Sequence, residues 1–313
     1  MRFAPLSIAL LLALTACSPS SEPAKDPAAS ASNDAAPVTA PVAVDPLDAA
    51  IAGTWRAPEN IARDVYRHPK ETLSFFGVKP EQVVVEVTPG GGWYSEILAP
   101  LAKGKGRYIA AVIDPAKTTN ARAAEYYAGA LKELQDKFAA SPDQFGEAQI
   151  VQFDPAAPVV AEPGSADVVL TFRNVHNWLG QDKAPLYFKG FFDALKPGGT
   201  LGVVEHSAAA GVTPKADSGY MTEQQIIDLA TGAGFVLAER SDINANPKDT
   251  TDYANGVWSL PPTLRGGDQD RQKFIDIGES NRMTLRFTKP AAASEAAAGE
   301  NAKLAPTDTS PQQ

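Results

Sequence analysis

Two hydrophobic rhythms alternate along the chain between Leu47 and Pro290. Short runs rich in Val, Ile, Leu and Phe, bounded by Gly, Pro or Asp, predict strands at Gln82 to Thr88, Gly106 to Asp114, Ala148 to Asp154, Ala166 to Phe172, Thr200 to His206, Phe235 to Asp242 and Arg282 to Pro290. Longer stretches with apolar residues three or four apart predict helices. These are Pro58 to Val78 with a break at Pro69, Gly92 to Lys103 with Ile97, Leu98 and Leu101 on one side, Asn120 to Phe138, Lys183 to Leu195, and Thr222 to Gly234. In "LKPGG", Gly198 and Gly199 stand as stop signals for the fourth of these. Strands alternating with helices predict an α/β fold, a doubly wound sheet with helices on both faces, which the last strand closes.

The flanks follow neither rhythm. Residues 17–46 and 291–313 are nearly all Ala, Pro, Ser and small polar residues, too poor in apolar surface to offset the entropy of ordering, so they read as a disordered tether and tail around one domain at 47–290. Residues 1–16 carry Arg2 and an apolar run from Phe3 to Leu14 that is short for a membrane span, as in a secretory signal. Leu14 to Cys17, "LTAC", resembles the bacterial lipobox, which implies lipidation of Cys17 and a protein anchored to the outer membrane, facing the periplasm. Cys17 is the one cysteine, so the domain has no disulfide and no thiolate metal site. A net charge of −9 without clustered Lys and Arg argues against a nucleic-acid surface.

Chemistry in open α/β sheets gathers beyond the carboxyl ends of the strands, and polar residues stand at nearly every one of those ends. The first predicted strand carries Glu86 and runs through Thr88 into Gly90, Gly91 and Gly92. Three consecutive glycines are costly to order, and the absence of Cβ atoms lets a ligand approach the backbone ahead of a helix N-terminus. Asp114 closes the second strand, placed as an acceptor for two ribose hydroxyls, and Asp154 closes the third, placed for an exocyclic adenine amine. Both also lie in "DPA", where Asp before Pro starts a turn. Arg173, Asn174 and His176 follow the fourth strand, and Glu205 and His206 end the fifth.

"EVTPGGG" (Glu86 to Gly92) resembles the first motif of class I S-adenosylmethionine-dependent methyltransferases, and "LKPGG" their late turn before the fifth strand. With "YRHPKETLSFFGVKP", "FRNVHNW" and "AGFVLAERSDINANPKD", the chain from about Arg63 to Pro290 resembles a group of exported bacterial predicted methyltransferases. The resemblance implies a Rossmann-like fold and S-adenosylmethionine as cofactor. Glu86 and the glycine turn would hold its methionine end, Asp114 its ribose and Asp154 its adenine, with Arg173, Asn174 and His176 lining the methyl-transfer site. Thr88 departs from the motif, standing where the first glycine is usual, and Pro89 stiffens the turn. A dinucleotide oxidoreductase is the nearest competitor, but Gly90, Gly92 and Ser95 lack the third glycine of its pattern.

Methyl transfer needs alignment of donor and acceptor and removal of a proton. His176 is the candidate base, His206 shares its rim if the fourth and fifth strands are neighbours, and His68 would approach from the preceding helix. No pair of these histidines has helical ligand spacing, so no metal is expected. Trp93 and Tyr94 are candidates for a wall against the sulfonium, with Tyr66, Phe172 and Trp178 nearby. The long polar loop from Asn244 to Asp270 is placed to shape a pocket for an unidentified small-molecule acceptor. Because S-adenosylmethionine is made in the cytoplasm, export raises an alternative of another class: an inactive periplasmic protein that binds a nucleoside-like ligand.

Overall fold

The computed structural model describes residues 44–291. Cys17, the signal segment, the tether through residue 43 and the tail from residue 292 lie outside the described residues. Among the described residues no helix is long and apolar enough to cross a membrane.

The strands are β1 (Val83–Val87), β2 (Arg107–Ile113), β3 (Gln149–Phe153), β4 (Ala166–Phe172), β5 (Leu195–His206), β6 (Val236–Ser241) and β7 (Arg282–Thr288). They form one sheet in the order β3-β2-β1-β4-β5-β7-β6. The first five pair in parallel, while β7 runs antiparallel to both β5 and β6. The last strand therefore inserts between its predecessors instead of closing an edge, and the edge is β6. The chain winds outward from β1 to β3, then returns to place β4 on the other side of β1, so the switch in direction lies between β1 and β4. Crevices in such sheets open at that point.

Alternation within each strand assigns its residues to two layers. Val84, Tyr108, Ala110, Val168 and Leu170 face one core, and Val85, Val87, Ile109, Ala111 and Val169 the other. The first layer holds α1 (Pro46–Ile51), α4 (Pro69–Phe75), α5 (Ser95–Ala102), the inner side of α6 (Ala121–Ala140) and α7 (Pro142–Phe145). The short α2 (Pro58–Ile61) and α3 (Asp64–Arg67) lie between α1 and α4 in the chain, so the predicted break at Pro69 is accompanied by a second interruption. The opposite layer holds α8 (Val175–Leu179), α9 (Ala184–Ala194) and α10 (Glu223–Gly232). Thr222 and Gln225 form a reciprocal capping box at the start of α10. A further helix, α11 (Arg271–Ile277), precedes β7.

"LKPGG" follows the end of the helix as expected, but the strand predicted from Thr200 begins five residues earlier and takes the motif in. Helix α9 ends at Ala194, and Leu195, buried and extended, already pairs with Ala166 of β4 across a bulge. Gly198 and Gly199 then exchange backbone hydrogen bonds with Lys289. The turn-like sequence is held as strand because both of its neighbours in the sheet offer partners.

Candidate functional site

A cleft of about 480 Å³ opens at the β1/β4 switch. Its lining includes Glu86, Thr88, Gly90, Trp93 and Tyr94 from the β1 side and Arg173, Asn174, His176 and His206 from β4 and β5. With Pro89, Phe172 and Trp178, twelve of the residues singled out in the sequence thus meet in one place.

The glycine run divides its work. A Cβ on Gly91 would stand 2.4 Å from Glu133 Oε1, and one on Gly92 would stand 2.8 Å from Leu134 Cδ1, both on α6. What approaches those two backbones is the chain's own helix. Gly90, with φ of 59°, has nothing within 4 Å of a Cβ position and lines the cleft, leaving room for a ligand against bare backbone. Gly92 also has φ of 79°, so Gly92→Ala is expected to lose about 1–3 kcal/mol of stability from strain and crowding. Urea denaturation checks this, and a loss below about 0.5 kcal/mol would mean that Leu134 yields freely.

Thr88 and Arg173 both have positive φ, 54° and 61°, at the ends of neighbouring strands. For a non-glycine residue that conformation costs about 1–2 kcal/mol. Thr88 adopts what a glycine would adopt at this position, which accounts for the motif tolerating the substitution while storing strain at the mouth of the cleft. Asn174 holds the turn: its Nδ2 donates to Val87 O at 3.1 Å, Thr88 O at 3.4 Å and Thr171 Oγ1 at 3.2 Å. Thr88 Oγ1 is buried without a partner. An orphaned hydroxyl beside an open glycine fits a cradle completed by a polar ligand.

Glu86 is buried; its Oε2 accepts from Tyr108 Oη at 2.6 Å and Ser95 Oγ at 3.3 Å. Burial pushes its carboxyl up to about 7, against the opposing pull of those hydroxyls and of Lys137 and Arg173. Trp93 donates its indole N–H to Asn60 O at 2.9 Å and lies under the guanidinium groups of Arg67 (4.6 Å) and Arg56 (5.2 Å). Tyr94 stacks on Phe172 at 3.7 Å. Trp93 and Tyr94 line the cleft, but their faces are substantially taken by these neighbours.

Across the cleft, Glu205 organises two histidines. Its Oε2 accepts from Val175 N at 2.7 Å, at the start of α8, and its Oε1 accepts from His206 N at 2.8 Å. His176 Nδ1 lies 3.0 Å from Oε1. An imidazole bonded through Nδ1–H to a carboxylate keeps Nε2 as a proton acceptor. His206 Nδ1 lies 2.6 Å from Ser280 Oγ, and the two rings stand 5.3 Å apart, His206 at the end of β5 and His176 in the first turn of α8, which follows the neighbouring β4. Burial, with His176, Arg173 and Arg282 nearby, pulls His206 well below the usual histidine range, so its ring is neutral at pH 7.

His176, His206 and Glu205 place one possible ligand atom each within 4.8 Å of one another. Sequence spacing gave no sign of this cluster, since a strand end and a helix start bring it together. Both Glu205 oxygens already accept backbone N–H groups, and Arg173, Arg282 and Arg67 raise the potential at His206. Those terms oppose a dication, and the cluster is suited to moving a proton.

Asp114 and Asp154 are not among the residues lining the cleft. Each caps its own turn, through Ala116 N at 2.9 Å and Ala156 N at 2.7 Å. Their neighbours Ile113 and Pro155 border a second cavity of about 510 Å³, which shares Tyr126, Tyr127 and Gln181 with the cleft. His68 and Tyr66 also lie outside the lining; Tyr66 packs against Gly278. The sequence reading missed Arg67, Tyr126, Tyr127 and Gln181, none of which stands in a recognisable pattern. The long loop does reach the site, through Trp258, whose ring is 6.1 Å from that of His176.

No protein-family model matches the chain, and no curated protein matches it. Among solved structures it is similar to an S-adenosylmethionine-dependent methyltransferase from Aquifex aeolicus, at 13% identity over 78% of this chain and 98% of that one, with a TM-score of 0.50. It is similar also to the 4+2 cyclase SpnF, at 14% identity over 77% of this chain and 86% of that one, again with a TM-score of 0.50. At such identity what is shared is the fold: the chain has the seven-stranded class I methyltransferase fold. A methyltransferase and a cyclase on one fold leave the reaction to be argued from the site.

Proposed function

We propose that this protein binds S-adenosylmethionine across the β1/β4 switch and transfers its methyl group to a small-molecule acceptor. The observation that carries the proposal is the cleft itself, where Glu86, an open Gly90 and the orphaned Thr88 hydroxyl face the Glu205-anchored His176. When bound, the cofactor supplies an electrophilic methyl on a sulfonium. Glu86 would receive the methionyl ammonium, and Gly90 leaves space for the chain that bears it. Asp114 and Asp154, beside the second cavity, would serve the ribose and adenine, and Tyr126 and Tyr127 would stand between the two halves. His176 is placed to take the acceptor's proton on Nε2, with Glu205 holding the tautomer and stabilising the charge that results.

Titration calorimetry of the full chain with S-adenosylmethionine and S-adenosylhomocysteine tests the binding half. Micromolar binding of both is expected, weakened about tenfold by Asp114→Asn. That change preserves the turn to Ala116 and removes one charged acceptor, so an unchanged affinity would reduce Asp114 to a turn residue. Absence of heat with either nucleoside would favour the inactive binding protein.

A further inference from the structure

The arginines at the inner end of the cleft outnumber the acids that could neutralise them. Glu279 meets Arg63 at 2.6 Å, Arg282 at 3.2 Å and Arg67 at 3.4 Å. Arg67 is buried, and only its Nε is hydrogen-bonded among the described residues. Arg173 has no counter-charge within ion-pair distance and no side-chain hydrogen bond among the described residues, although a strained left-handed backbone presents it to the cleft. The carboxylate of Glu205 is taken by the His176 ring and three backbone N–H groups, and that of Glu86 by two hydroxyls. A guanidinium held with free N–H donors beside aromatic walls is built for an oxyanion, which it can engage with two parallel hydrogen bonds.

S-adenosylmethionine brings one carboxylate together with an ammonium and a sulfonium, so its binding adds net positive charge and leaves the excess of arginines in place. We infer that the methyl acceptor is an anion, a small carboxylate or phosphate ester whose oxygens pair with Arg173 and Arg67 while Trp258 covers its body. This rests on the methyl-transfer reading for the word acceptor, whereas the oxyanion subsite stands on the arginines alone. The ring of Trp258 is itself braced by Arg265 at 4.7 Å, which keeps the indole at the mouth of the subsite.

Benzoate and phenyl phosphate, with benzamide as the neutral control, separate the possibilities by tryptophan fluorescence and calorimetry on the full chain. Titrations run with and without saturating S-adenosylhomocysteine. Benzoate or phenyl phosphate is expected to bind at least tenfold more tightly than benzamide, in both conditions. Whichever binds better identifies the carboxylate or the phosphate source. Arg173→Gln should remove that preference and Arg173→Lys restore part of it, with the melting temperature of each variant confirming that it folds. Equal affinity for the anions and benzamide would overturn the inference. So would displacement of S-adenosylhomocysteine by the anion, since the arginines would then be holding the cofactor's own carboxylate. If S-adenosylhomocysteine fails to bind while benzoate binding still depends on Arg173, the methyl-transfer reading falls and the oxyanion subsite survives.

Discussion

Glu279→Gln is expected to cost about 3–5 kcal/mol of folding stability, the loss typical of removing one partner from a buried ion cluster. Glu279 ties the segment around α3 to β7: it receives Arg63 and Arg67 from the former and Arg282 from the latter. Burial alone would raise its carboxyl, but Arg67, Arg282, Arg173 and Arg63 hold it down to about 2. A carboxyl depressed in the folded state stabilises the protein above its unfolded value near 4.5, and that contribution disappears as the pH falls toward 2. The shift corresponds to about 3 kcal/mol. The glutamine variant should therefore be weaker at pH 7 and should also lose its acid-side slope between about pH 4.5 and 2, read by denaturant midpoints across that range. Adding Arg67→Met in the same chain should recover more than about 1 kcal/mol, since it withdraws a buried charge left unpaired. A single-variant loss under about 1 kcal/mol would show the cluster to be electrostatically neutral in its effect.

Glu86→Gln should act oppositely on stability and binding. Its carboxyl is raised to about 7 in the free protein, so the folded state holds a proton that the unfolded chain has released. Stability from this group is complete below about pH 4.5 and declines as the pH rises toward 7, by about 3 kcal/mol in all. The glutamine variant is expected to be the more stable form at pH 8 by up to that amount. Its affinity for S-adenosylmethionine should fall roughly 10–100-fold, because a charge-assisted hydrogen bond to the ligand's ammonium contributes about 1.5–3 kcal/mol. Binding to the native protein at pH 6 should release close to one proton as the ammonium draws Glu86 into its ionised form. Calorimetry in buffers of different ionisation enthalpy reads that proton directly. Equal heats across buffers, or equal affinity in the variant, would remove Glu86 from the binding site.

Much of the architecture was legible because it is local. The apolar runs and the polar strand ends are properties of a few consecutive residues, and strand alternation with two covered faces follows from them. The same local rule placed the end of the helix at "LKPGG" but not the start of β5, because whether those residues extend as strand depends on partners that Ala166 and Lys289 offer from elsewhere in the chain. The glycine run was legible as a close approach, but sequence could not distinguish a ligand at Gly90 from the Glu133 and Leu134 side chains at Gly91 and Gly92.

By itself, then, the sequence determined which segments become strands and helices, and that polar groups would collect along one rim of the sheet. Only the tertiary structure decided which of those groups meet. Arg63 reaches Glu279 across 216 positions, and His176 reaches Glu205 across 29. Neither pairing follows from periodicity, because the second depends on β4 lying beside β5 and the first on where β7 enters the sheet, between β5 and β6. Strand order is a sum of many long-range contacts, whereas hydrophobic period is set residue by residue along the backbone.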